Sequence, residues 1–187
     1  TRIFPRLFLV FMVGLVAFAA RQAPASSALS TGVVISQVYG GGGNGGATYT
    51  HDFVELFNRG TTSVNLAGWS IQYTSATGTG NFGANTGQLT ELSGTLAPGQ
   101  YMLVQEASNA AVGAALPTPD VTDATPIAMA AGGGKLALVN TTTPLGCNGN
   151  ANVCTPAALA TIVDLVGFGN ANYFEGAGAT PTPSATT

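Results

Sequence analysis

Two cysteines, one histidine and eight carboxylates are the groups on this chain whose chemistry goes beyond packing. His51 stands beside Asp52 in THDFVEL. A Ser-His-Asp hydrolase would need a serine on a strained strand-to-helix elbow, and no G-x-S-x-G occurs. His51 therefore reads as a loop histidine at the mouth of a strand. Asp52 and Glu55 are three apart, so a strand would point them to opposite faces, whereas a glycosidase needs two facing carboxyls. Asp120 and Asp123, in PDVTDAT, are the nearest approach to a metal site. They offer two oxygens where calcium takes six to eight, and no D-x-D-x-D-G loop surrounds them. No catalytic residue, metal site or cofactor is expected.

Cys147 and Cys154 enclose six residues of a Gly/Asn-rich loop. An even cysteine count in an exported chain predicts one disulfide. Zinc would need two more ligands, and the chain has one His. The run GGGGNGG, Gly40 to Gly46, contains G-x-G-x-x-G but is followed by ATYTHDFVEL, a loop and a strand. A pyrophosphate site needs a helix N-terminus there, so the glycines read as a flexible inter-strand loop.

The elements that must position these groups are short strands. Val33 to Tyr39 is rich in β-branched residues. Alternation in Asp52 to Asn58 puts Val54 and Leu56 on one face and Phe53, Glu55 and Phe57 on the other. Phe53 and Phe57 are then either covered by a loop or available as a binding face. Trp69, the only tryptophan, shares a face with Ile71 and Tyr73, and its bulk suits a plug between two sheets. Leu103, Leu136, Leu138, Val163 and Leu165 complete the expected core. Ala107 to Leu116 is the one stretch after the leader that reads as a helix. Pro117 to Pro126 holds three prolines and is excluded from a central strand. Strands at short spacing with turn signals between them predict an all-β, Greek-key β-sandwich.

Charge and termini bound the compartment. Charged residues are 7% of the chain, against about 25% in an ordinary soluble domain. Arg2 and Arg6 precede Leu7 to Ala20, a fourteen-residue apolar run followed by small residues. A bilayer span needs roughly 20, so residues 1–28 read as a secretory signal peptide and short linker, the chain's only dealing with a membrane. The absent initiator Met marks the N-terminus as incomplete. Residues 29–176 form the predicted domain, and 177–187 a Pro/Thr/Ser-rich tail or the start of a truncated last strand. Cleavage after Arg21 leaves two bases against eight acids. Phosphate-backbone binding needs several bases on one face, so no nucleic acid is expected.

In order, DFVELFN (52–58), LAGWSI (66–71), LAPGQYMLV (96–104), GGGKLALVN (132–140) and IVDLVGFG (162–169) resemble the lamin tail domain in its bacterial, secreted form. The resemblance covers Val33 to Glu175 and implies an immunoglobulin-like β-sandwich with no catalytic motif to transfer. Such domains resemble accessory modules of larger secreted or surface proteins. The Cys pair and the glycine run depart from the family pattern. The expected function is a non-enzymatic, secreted or cell-surface interaction or scaffolding module for an extracellular protein or surface component. The alternative is an accessory N-terminal part of a secreted nuclease- or phosphoesterase-type hydrolase whose catalytic part lies beyond Thr187. A third reading is a carbohydrate-binding sandwich using Phe53 and Phe57.

Overall fold

A computed structural model describes residues 30–183. The signal-peptide expectation for 1–28 lies outside them. Ten strands and one short helix follow in order: β1 Val33–Tyr39, β2 Phe53–Asn58, β3 Val64–Asn65, β4 Ser70–Ser75, β5 Leu89–Glu91, β6 Thr95–Leu96, β7 Tyr101–Gln105, β8 Val121–Thr122, β9 Gly133–Val139, α1 Pro156–Leu159 and β10 Ile162–Gly169. They form two four-stranded sheets, β1-β2-β7-β8 and β10-β9-β4-β5, with β3-β6 as a small ribbon. This is the immunoglobulin-like β-sandwich expected from the sequence.

Period-two alternation builds the core. From the first sheet, Val33, Ile35, Val54, Leu56, Met102, Val104 and Val121 face inward. Ile71, Tyr73, Leu136, Leu138 and Phe168 meet them from the second. A register shift between Ile35 and Gln37 keeps Val38 opposite Val54, so β1 stays in phase with the core. Where β1 nears β10, the Ile35 amide donates to the Asp164 carboxylate at 2.6 Å and fastens the two sheet edges.

Several expectations are corrected. Leu103 is half-buried, and Met102 and Val104 are the inward residues of β7. Both parities of YMLVQ are apolar, so the alternation alone did not decide which faced inward. Trp69 precedes β4 and is half-buried against the core margin rather than a plug between the sheets. Phe168 is among the large side chains that are fully buried in that core. A second register shift, between Ile162 and Asp164, separates Val163 from Leu165. Val163 packs against the main core, while Leu165 joins Phe82, Ala137 and Val139 in a smaller cluster. Residues 107–116 form no helix; α1 is capped by Thr155, whose side chain accepts the Ala158 amide at 3.2 Å.

The first part of the glycine run, Gly40 to Gly43, is buried and packed, while Gly45 and Gly46 are exposed. A Cβ on Gly42 would lie 2.1 Å from the Asp52 nitrogen, and one on Gly43, at φ +70°, would lie 2.3 Å from the Ala110 carbonyl oxygen. Gly42 and Gly43 are glycine because the start of β2 and the backbone at Asn109 and Ala110 press against them. At the other end, Thr180 bridges Phe168 in parallel, and its amide donates to the Gly167 carbonyl at 2.8 Å. The 177–183 segment thus runs along the β10 edge.

Candidate functional site

Asp52 and Glu106 are 2% and 1% exposed. Asp52 Oδ1 accepts the Gly42 amide at 2.8 Å, and Oδ2 accepts the Met129 amide at 2.9 Å. Glu106 Oε2 accepts the Ile127 amide at 2.7 Å and the Thr90 hydroxyl at 2.9 Å. Glu106 Oε1 is buried without a hydrogen-bond partner. Burial pushes the Asp52 carboxyl up to about 6 and the Glu106 carboxyl up to about 8, against the opposing pull of their amide donors. The Tyr73 hydroxyl accepts the Ala130 amide at 3.2 Å.

These three side chains explain how the 126–131 segment is held against the core with Ile127 and Met129 turned inward. It belongs to no strand, yet Ile127 is fully buried and Met129 nearly so. Buried amides need partners, and Glu106, Asp52 and Tyr73 supply them at Ile127, Met129 and Ala130. Shifted carboxyls often mark catalytic clefts. Here both carboxyls are buried and each accepts at least one backbone amide.

The other sequence candidates do not converge. The His51 Nδ1 lies 3.0 Å from the Thr50 hydroxyl, while the Asp52 carboxylate is taken by Gly42 and Met129. Glu55 Oε1 accepts the Ser36 hydroxyl at 2.7 Å. Asp120 accepts the Leu103 amide and Asp123 the Thr125 amide, each at 2.7 Å. Asp120 thus ties its segment to β7 and Asp123 serves a local turn, and among the described residues no group of three or more His, Cys, Asp or Glu is placed to hold a metal ion. Cys147 and Cys154 are joined in a disulfide, their Cα atoms 5.0 Å apart.

Lys135 was not singled out from the sequence. It is fully buried on the face of β9 opposite Leu136 and Leu138. Its ammonium donates to the Asn148 carbonyl and to Asn172 Oδ1, each at 3.0 Å, with the Phe82 ring 5.9 Å away. Desolvation lowers its pKa. The available signal was its parity, shared with Ala137 and Val139 in GGGKLALVN. That face reads as solvated until the 76–83 and 141–154 loops are known to cover it.

The accessible candidate is the outer face of the first sheet. Phe57 and Tyr101 are register partners whose rings stack at 4.5 Å and 29°. Tyr101 is 59% exposed. Val34, Glu55 and Leu103 lie half-buried around the pair. Phe53 shares the face but is 5% exposed, stacked on Tyr39 at 5.3 Å and met edge-on by Tyr49 at 5.9 Å. The two alternatives for Phe53 and Phe57 are thus divided: the loop carrying Tyr49 covers Phe53, and Phe57 stays on the accessible face with Tyr101 beside it.

The sequence pattern of the Lamin Tail Domain matches residues 26–154. Comparison with curated proteins gives no match.

Proposed function

The chain belongs to the lamin tail domain family, a non-catalytic immunoglobulin-like fold that is not a cofactor-binding one, and from that premise we propose that it is an exported, non-enzymatic interaction module. The Phe57–Tyr101 pair carries this reading. It is a stacked aromatic surface on the central strand pair of its sheet, with Tyr101 mostly in solvent. Aromatic rings combine apolar area with low entropy cost, which makes them effective contact residues. The surrounding Val34, Leu103 and Glu55 give the patch an apolar body with a polar member, as protein–protein contact surfaces have.

Export is supported by the disulfide, which persists in oxidising compartments. The partner is an extracellular protein or surface component. The test is co-sedimentation of the purified domain with the envelope fraction of the producing cells. Wild type is retained and Tyr101→Ala is not, while both unfold at similar temperature. Equal retention of the two proteins would remove this face from the proposal. Recovery of the chain only from the cytosol, with two titratable thiols, would remove export.

A further inference from the structure

Lys135 is the only lysine in the chain, and it is fully buried. Part of its cover is the loop closed by the disulfide, with Asn172 and the Phe82 ring completing the pocket. The Asn148 carbonyl that accepts from Lys135 belongs to the residue immediately after Cys147. The loop is knitted around Asn148, whose Oδ1 accepts the amides of Asn150 and Asn152, each at 3.0 Å. Gly149 lies flat on Tyr173: a Cβ there would stand 2.1 Å from the ring. The Cys147 carbonyl accepts the Phe82 amide at 2.9 Å, which brings the Phe82 ring to the same pocket. The ammonium has neutral oxygen partners and an aromatic ring around it.

We propose that the Cys147–Cys154 loop is a redox-released cap over Lys135. A buried cation with only neutral partners favours water over its pocket. The disulfide limits the loop's alternatives and keeps it closed. Attack by a dithiol breaks the S–S bond: the reductant's two thiols become a disulfide, and two electrons with two protons pass to the cysteine sulfurs. The freed loop opens and Lys135 emerges, which places the one lysine amine of the chain on the surface of an acidic domain. In the oxidised state that amine is closed to acylating reagents and to anionic partners. The two sheets, whose main core includes neither cysteine, stay folded in both states.

The test is amine-reactive labelling of the folded protein with an N-hydroxysuccinimide ester, read by peptide mass mapping at Lys135. Oxidised wild type is compared with dithiothreitol-reduced wild type and with Cys147→Ser/Cys154→Ser. Circular dichroism and Trp69 fluorescence report the sandwich in the same samples. Reduction is expected to accelerate labelling of Lys135 about thirtyfold or more, the equivalent of the loop restraint removed, with both fold signals unchanged. Equal labelling rates in the oxidised and reduced states would overturn the proposal. So would loss of the fold signals on reduction of wild type, since the bond would then hold the whole domain rather than a cap. The reduced wild type decides the matter if the double serine variant fails to fold.

Discussion

The Glu106 amide donates to the Asp52 carbonyl at 2.8 Å, and the side chains of these same two residues accept amides two positions apart, at Ile127 and Met129. The pair is thus joined through its backbone and holds one strandless segment through its carboxyls. Each carboxyl has left water to do so, and burial has raised both above the ordinary carboxylate range. A clasp of this kind lets a loop enter the core without a ladder partner.

Asp52→Asn separates the two bonds this residue makes. An amide side chain has one acceptor oxygen, so it satisfies Gly42 or Met129 but not both. Leaving one buried amide unpaired costs about 1–3 kcal/mol. Urea denaturation measures it. The wild-type carboxyl is raised from 3.8 to about 6, so its folded form holds a proton that the unfolded chain releases. That contribution is full below about 3.8 and is lost as pH rises through about 6. The Asn variant lacks this dependence.

Met102→Ala and Leu103→Ala test the parity of β7. Met102 faces the core and Leu103 the outer face. Truncating Met102 costs about 2–5 kcal/mol, and truncating Leu103 less than about 1 kcal/mol. Thermal unfolding of the two variants side by side separates them, and the opposite order would return Leu103 to the core.

Gly134→Ala tests the close packing of the second sheet against two aromatic rings. A Cβ there would lie 2.5 Å from the Tyr73 ring and 2.8 Å from the Phe168 ring, both core residues. Overpacking of this kind costs about 1–3 kcal/mol. Chemical denaturation is the measure, and a variant as stable as wild type would show that the rings can yield.

The sandwich was legible because Val54 and Leu56, Ile71 and Tyr73, and Leu136 and Leu138 recur at every second position of their strands, and each lies in the main core. β7 and β10 were less so. One is apolar on both parities, and the other carries a register shift that no residue type announces. The candidate surface was half legible. Phe57 followed from parity, but Tyr101 required the β2–β7 register and Phe53 required the position of Tyr49. Lys135 and Glu106 stayed hidden because loops distant in sequence bury them. Composition does not say which loop folds over which face.

The claim on which this account rests is that the buried carboxyls fasten the fold and are not reagents. Urea denaturation of wild type and Glu106→Gln across pH measures it most directly. Glu106 is raised from 4.5 to about 8 in the folded protein, so the folded state holds a proton that the unfolded chain releases. Its contribution is full below about 4.5 and is lost as pH rises through about 8. Wild type should therefore lose stability steadily from about pH 6 to about pH 8, while Glu106→Gln stays level over the same window. Constant or rising wild-type stability there, or an equal loss in the Gln variant, would contradict the account.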